Sequence, residues 1–443
     1  MAMRLHELAE QLNGDLQADG CPLFSMLSEK GRRAFFPSKG ILGQSAEAKG
    51  RDINATIGVA LEEDGTPLTL DCVMETVRLP KTALLYSPSS GVKELRETWR
   101  EMELRKNPSL AGKSFSLPVA THALTHGLTV AAQLFLDAED AVILPDFYWD
   151  NYELVFREGT GAALATYPMF TEAGAFNTDG LDALLRGPGE KKVVLLNFPN
   201  NPTGYTATER DADAIAASLL AAAQAGKRVV VLLDDAYFGL VYEKGVCRES
   251  LFARLCDLHE NLLAVKLDGA TKEDYVWGVR VGFITFGAKG ATAAQYRALE
   301  QKAAGIVRAT ISNPTNIGQR ILLQAFRSAD YETQKQEKYE TLRRRYAKIR
   351  EIFAAHPAFA ESFRVMPFNS GYFMCVKPLG VDPETVRQRL LSRYSTGVIV
   401  LSGLIRIAFS SVPLDKLERL FLNIDSAIRD VKAEYPPPEA TWS

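Results

Sequence analysis

The chain has 443 residues, with 51 Lys or Arg against 54 Asp or Glu, a net charge of -3, 47% hydrophobic and 24% charged residues. These are the values of an ordinary soluble globular protein; they exclude a lone small binding module and a nucleic-acid surface driven by overall basicity. Five scattered cysteines, Cys21, Cys72, Cys247, Cys256 and Cys375, form no Cys-x-x-Cys pair, which argues against a disulfide framework or zinc site and fits a reducing cytoplasm.

The stretch Met1 to Asp15 sets Arg4, Glu7 and Glu10 among apolar residues. It has no clean apolar core of a signal peptide and predicts an amphipathic helix. No stretch approaches the roughly 20 apolar residues needed to cross a bilayer. Ala141 to Leu144, followed by Pro145-Asp146, predicts a short buried strand, and the pattern recurs at Val193 to Leu196, Val229 to Leu233 and Leu262 to Leu267. An alanine-rich helix, Ala212 to Ala225 closed by Gly226, falls between two of these runs. Strand, helix, strand at this spacing indicates a mostly parallel sheet covered on both faces by helices. Ligands of such sheets sit beyond the carboxyl ends of the strands. Here the strands run into Asp146 to Trp149, Asn197 to Gly204, Asp234 to Tyr237 and Asp268 to Lys272, so all four clusters are expected along one edge. After Pro314, Asp330 to Ala355 predicts a long charged helix able to connect two domains. The remainder, from Phe363 through Val398-Ile399-Val400 to a helix over Leu414 to Val431, predicts a smaller α+β domain.

Asn201-Pro202-Thr203-Gly204 alone is a turn. Thirty-three positions on stands Asp234-Asp235-Ala236-Tyr237, and then Lys272, eight positions before Arg280 in Gly278-Val279-Arg280-Val281-Gly282. In order and spacing these motifs, within roughly Asn54 to Ala408, resemble the class I/II aminotransferases of the aspartate aminotransferase fold, which use pyridoxal phosphate (PLP). The resemblance implies a large PLP-binding α/β domain over 66–325, an N-terminal arm with part of a small domain over 1–65, and a connecting helix with the rest of the small domain over 326–443.

It also implies roles. Lys272 is the amine that forms a Schiff base with the cofactor aldehyde and then moves the substrate Cα proton. Asp234 is the carboxylate that keeps the ring nitrogen protonated, with Asp235 structural, while Tyr237 and Asn201 bond the ring's 3-oxygen. Arg280 and the segment Ala123-Leu124-Thr125, ahead of a helix over His126 to Leu136, hold the phosphate. Here the chain departs from the family, which usually has Gly or Ser where Ala123 and Leu124 stand and Ser where Gly269 stands, so one hydroxyl contact to the phosphate is missing. Trp149, with Tyr148 as the alternative, stacks on the ring. Tyr86, five positions before Gly91, reaches the phosphate of a neighbouring subunit, which implies a homodimer with shared active sites.

For substrate, Arg406 in Leu404-Ile405-Arg406-Ile407-Ala408 matches the α-carboxylate arginine, and Gly58 in Ile57-Gly58-Val59 the segment that closes over it. Arg308 matches the arginine that reaches from the other subunit to a side-chain carboxylate; its competing reading is a solvated helix arginine. The expectation is an aminotransferase acting on a dicarboxylic, and by a swing of Arg308 also an aromatic, L-amino acid with a 2-oxo acid such as 2-oxoglutarate. A carbon-sulfur β-lyase or an amino-acid decarboxylase on the same fold is the alternative. No Gly-x-x-x-x-Gly-Lys-Ser/Thr or His-Glu-x-x-His motif is present. His122 and His126 alone lie at metal-ligand spacing, within the phosphate segment, where a structural role is expected. Neither nucleic acid nor membrane is an expected partner.

Overall fold

A computed structural model describes residues 5–17, 23–37, 40–75 and 79–434 of the chain. The strands are, in chain order, β1 (Ile53–Asn54), β2 (Val119–Thr121), β3 (Ala141–Pro145), β4 (Ala163–Tyr167), β5 (Lys191–Asn197), β6 (Arg228–Asp234), β7 (Leu262–Asp268) and β8 (Gly282–Ala288). Then follow β9 (Phe363–Val365), β10 (Phe373–Pro378), β11 (Thr396–Gly397), β12 (Ile399–Leu401) and β13 (Leu404–Ala408).

The four apolar runs become β3, β5, β6 and β7, the centre of a seven-stranded sheet of order β2-β8-β7-β6-β5-β3-β4. They are parallel to one another, while β8 runs antiparallel to both β7 and β2. The edge strands β2 and β4 and the reversed β8 are additions that the apolar runs do not reveal. Alternate residues of each central strand serve opposite faces. Val194, Val231, Leu233 and Ala264 join Ala212, Ile215 and Leu219 of the helix Glu209–Gln224 in one buried cluster. Val193, Leu195, Leu232 and Val265 join Leu128 and Ala131 of the helix Ala123–Phe135 and Val307 of the helix Ala293–Ile311 in another. The runs read as unbroken apolar stretches because both faces are dry.

The helix Glu209–Gln224 starts at Thr208, whose hydroxyl and the Asp211 carboxylate cap each other's backbone N–H groups, and ends ahead of Gly226 at φ +85°. The segment Ala123-Leu124-Thr125 differs from expectation: the helix begins at Ala123, not His126, so these three residues form its first turn.

A second, antiparallel sheet of order β12-β13-β10-β9 is covered by the helices Tyr331–Ala355 and Leu417–Glu434. Next to it β1 pairs in parallel with β11, Ile53 opposite Thr396, so the segment before residue 65 meets the segment after residue 326. The amphipathic N-terminal helix runs Glu7–Gln17; Met1 to Arg4 and Cys21 lie outside the described residues. Among the described residues, no helix is long and apolar enough to cross a membrane, and Cys72, Cys247, Cys256 and Cys375 are buried free thiols.

Candidate active site

Because β3, β5, β6 and β7 are parallel, the residues that follow them emerge at one edge, with Asn197 directly opposite Asp234. The reversal of β8 brings a fifth contribution to that edge. Arg280 precedes β8 where the other clusters follow their strands, and Gly282 pairs with Thr121, whose chain leads into Ala123. A cavity of about 220 Å³ opens there. Gly58, Ala123, Leu124, Thr125, Trp149, Asn201, Asp234, Tyr237, Lys272, Arg280 and Arg406 all line it. Two residues singled out with them do not. Tyr86 is 90% exposed, and Arg308 is exposed with its Nη1 donating to Ser312 Oγ at 2.6 Å.

Two glycines permit this convergence. A Cβ on Gly204, the last residue of Asn-Pro-Thr-Gly, would fall 1.8 Å from the Phe373 carbonyl oxygen, and its φ is +73°; only glycine lets that turn dock on β10. A Cβ on Gly282 would lie 2.7 Å from the Ala123 carbonyl carbon, so Gly-x-Arg-x-Gly ends in glycine where the start of the helix Ala123–Phe135 rests on β8. Ala123 (φ 60°) and Arg280 (φ 58°) occupy the left-handed region, a strain that clusters at functional sites.

The electrostatics follow from burial. Lys272 is partly exposed, and its Nζ stands 5.3 Å from the centroid of the Tyr237 ring. Burial pulls its amine from 10.5 down to about 8, against the Asp234 carboxylate and with help from Arg280. Asp234 is buried; its Oδ2 accepts from the Tyr152 hydroxyl at 2.6 Å and its Oδ1 from the Ala236 N–H at 3.1 Å. Burial still raises its pKa over the opposing effects of Tyr152 and Lys272. Arg406 is 2% exposed and lies over the Phe373 ring at 4.4 Å. Its Nη1 donates to Asn201 Oδ1 at 3.0 Å, its Nη2 to the Thr56 carbonyl at 3.1 Å, and its Nε has no partner. Arg280 Nη1 donates to the Trp277 carbonyl at 3.1 Å. Among the described residues neither arginine forms an ion pair with a carboxylate.

Trp149 and Tyr148 face different surroundings. Trp149 lines the cavity, while the Tyr148 hydroxyl donates to Glu153 Oε1 at 2.6 Å. Asp235 faces the other way from Asp234, accepting from Ser250 Oγ at 2.6 Å and lying 3.3 Å from Lys266 Nζ. His126 is engaged by the His122 backbone N–H at 3.1 Å and by Thr310 Oγ1 at 2.8 Å. No group of three His, Cys, Asp or Glu among the described residues is placed to hold a metal.

Six lining residues were given no role by the sequence: Ile41, Tyr152, Asn197, Ala236, Thr271 and Phe373. Tyr152 had a signal, since it stands one helical turn beyond Trp149, and Thr271 another, as a hydroxyl next to Lys272. Ile41 and Phe373 had none, because each arrives from a distant part of the chain.

An amine, a carboxylate whose pKa burial raises, and two arginines without carboxylate partners, arrayed around one cavity, suit a ligand carrying two anionic ends and a cationic centre. PLP with a bound amino acid has that form: a phosphate for Arg280 and the helix N-terminus, a ring nitrogen for Asp234, and a carboxylate for Arg406.

Residues 52–424 match the family described as Aminotransferase class I and II. The chain is 26% identical over 300 residues to the aspartate aminotransferase of Bacillus subtilis, a match covering 67% of this chain and 66% of that protein. It is 22% identical over 408 residues to the aspartate aminotransferase of Bacillus sp. (strain YM-2), covering 88% and 95%. An aminotransferase structure from Anaerococcus prevotii superposes with a TM-score of 0.78 at 22% identity, covering 90% of this chain and 98% of that one, which shows the fold.

Proposed function

The chain belongs to the class I and II aminotransferases, a family that uses PLP, and from that premise we propose that it exchanges an amino group between an L-amino acid and a 2-oxo acid such as 2-oxoglutarate. The observation that carries the reading is the Lys272 amine held near 8 inside the cavity that Asp234, Arg280 and Arg406 share. Bound there, PLP supplies an electrophilic carbonyl and a conjugated ring that accepts the electrons released at the substrate Cα.

The chain does the rest. Near neutral pH an amine with a pKa of about 8 is protonated in part and free in part, so Lys272 can take a proton from Cα and return one. Asp234 is a carboxylate that burial strains toward neutrality, and a positive ring nitrogen is the partner that would keep it ionised. Asn201, whose carboxamide oxygen Arg406 already engages, has its amide N–H to offer, and Tyr237 its hydroxyl. Arg406 holds the substrate carboxylate, and Trp149 covers the ring.

Dicarboxylic substrates are part of the proposal through Arg308, which on this reading works in the cavity of a second copy. The same holds for Tyr86. Support comes from the way their segments are joined: Ser89 Oγ donates to the Ser312 carbonyl at 2.8 Å, and Asn316 Nδ2 to the Leu85 carbonyl at 2.8 Å. Leu84 (78% exposed) and Leu85 (65%) immediately precede Tyr86 there, an apolar face suited to a homodimer. The domain limits 1–65, 66–325 and 326–443 and a cytoplasmic location complete the proposal.

The test is the visible spectrum of the purified protein with PLP before and after single amino acids. A Lys272-dependent band that glutamate or aspartate abolishes and 2-oxoglutarate restores is the expected result. Arg308→Ala with unchanged kinetics for glutamate would end the dicarboxylate claim, and pyruvate with ammonia from cysteine would assign a lyase instead.

A further inference from the structure

A second cavity, of about 580 Å³, lies beside the first and shares Ile41 and Trp149 with it. One wall is the segment from Trp149 to Glu158. The other is built by residues between His6 and Leu42, ahead of residue 52, where the family match begins.

That second wall is held in place. Gln44, on the helix Ile41–Glu47, donates from Nε2 to the Val400 carbonyl at 3.0 Å and accepts the Val400 N–H at 2.6 Å, pairing with β12 as a further strand would. Glu47 Oε2 lies 2.9 Å from Arg387 Nη2, and the Asp150 carboxylate stands 3.4 Å from where a Cβ on Gly40 would be. Farther back, Asn13 Nδ2 donates to the Arg32 carbonyl at 2.9 Å and the His6 ring stacks on Phe35 at 4.0 Å, which ties down the helix Glu7–Gln17.

The lining decides what such a space can take. Leu8, Phe35, Leu42 and Leu154 line it together with Ile41 and Trp149. Its carboxylates are Glu7, Asp150, Glu153 and Glu158, and the one guanidinium among its lining residues is that of Arg157. That guanidinium is already engaged, with Nη1 2.7 Å from Glu153 Oε2 and Nε 3.3 Å from Glu158 Oε1. A side chain ending in a carboxylate meets repulsion here, whereas an apolar one leaves water for an apolar surface. Size narrows the choice further. An apolar cavity of about 150 Å³ already accepts benzene, so this one has room for more than a phenyl ring.

We propose that the second cavity receives the side chain of an amino acid whose carboxylate Arg406 holds, and that the class it selects is α-amino acids with a long apolar side chain and no anionic end. The side chain enters between Ile41 and Trp149, the residues common to both cavities. The inference rests on the transaminase reading and deepens it. The amino group leaves the apolar amino acid as its 2-oxo acid forms, and 2-oxoglutarate takes that group up as glutamate. Dicarboxylates and long apolar amino acids then use different parts of the molecule, and Arg308 has no need to swing aside for the second class.

The experiment is a ladder of L-2-aminobutanoate, L-norleucine and L-2-aminooctanoate as donors to 2-oxoglutarate, with PLP-loaded wild type, Leu154→Trp and Leu8→Trp. Burial of each added methylene predicts kcat/KM rising about fourfold. L-Lysine, close to norleucine in length but with a charged end, is expected to react more slowly than norleucine. Each tryptophan fills the cavity from a different wall, and each is expected to lower the ratio of kcat/KM for 2-aminooctanoate over 2-aminobutanoate tenfold or more. A flat ladder in a wild type that converts 2-aminobutanoate would overturn the inference, as would a ratio unchanged in both variants or lysine outpacing norleucine. An equal loss on every donor, with lowered melting temperatures, would make the cavity a support of the fold and overturn it too. A wild type that binds PLP and converts no donor, glutamate included, would instead overturn the transaminase reading, and this inference with it.

Discussion

Lys266 and Lys272 both lie toward the carboxyl end of the central sheet, six positions apart, and the protein surrounds them in opposite ways. Lys266 Nζ contacts Asp268, stands 3.1 Å from Glu103 and 3.3 Å from Asp235, and all four side chains are at most 5% exposed. The carboxylates hold its amine well above 10.5, and burial pushes Asp235 up to about 6. Lys272 has no carboxylate in ion-pair range among the described residues, and burial takes its amine the other way, to about 8. The adjacent aspartates repeat the contrast, Asp235 facing the ion cluster and Asp234 the cavity. A buried charge surrounded by partners holds a fold together. A buried charge left short of partners is poised for a ligand.

The contrast can be broken by exchange of consequences. Lys272→Ala is expected to lower kcat for transamination about 10⁴-fold while leaving the fold intact, as measured by steady-state rates and a melting curve. Lys266→Met is expected to do the reverse. It leaves buried Asp235 and Asp268 without their cation, Glu103 keeping only Lys106 at 2.9 Å, and lowers unfolding stability by about 3–5 kcal/mol in a denaturant titration. A Lys266 variant that melts like wild type but has lost activity would sink the division of labour.

The aspartates sharpen it. Asp234→Asn is expected to reduce kcat about 10²-fold or more, whereas Asp235→Asn should lower the melting temperature and spare kcat.

A pH experiment separates the lysines further. The folded-state pKa of Lys272 is lowered from 10.5 to about 8, so below pH 8 the apoprotein carries a partly desolvated charge that the unfolded chain solvates fully. That penalty is present at neutral pH and is relieved as pH rises from 8 through 10.5. Lys272→Met should therefore stabilise the apoprotein at pH 7 by on the order of 2–3 kcal/mol, with the gain fading by pH 10.5. A gain independent of pH would show that the amine is not perturbed. The smallest effect belongs to Tyr152. Removing its hydroxyl raises the Asp234 pKa, so Tyr152→Phe is expected to lower kcat about tenfold and shift the acid limb of the pH profile upward, without changing KM for the amino donor.

Much of this was legible in advance, for identifiable reasons. Strands buried on both faces write themselves as unbroken apolar runs, so β3, β5, β6 and β7 and the polar clusters after them could be read directly. Lys272 and Arg280 were readable because their chemistry comes with a local glycine and strand context. Thr271 and Tyr152 were in view yet unassigned, since what marks them is the lack or presence of one partner: none for Thr271 Oγ1, and Asp234 for the Tyr152 hydroxyl. That Tyr148 is turned to Glu153 while Trp149 lines the cavity was likewise not written in the sequence.

The sequence by itself determined the mostly parallel sheet, the edge where its chemistry collects and the residue types gathered there, because hydrophobic period, turn residues and motif spacing are local properties. Only the tertiary structure decided that β8 is reversed, so that Arg280 arrives from before its strand. It also decided that Ile41 and Phe373 close the cavity and that Lys266 is neutralised while Lys272 is not. Those outcomes depend on which distant groups share a dry space, and the strength of a charge in such a space is set by its neighbours in three dimensions.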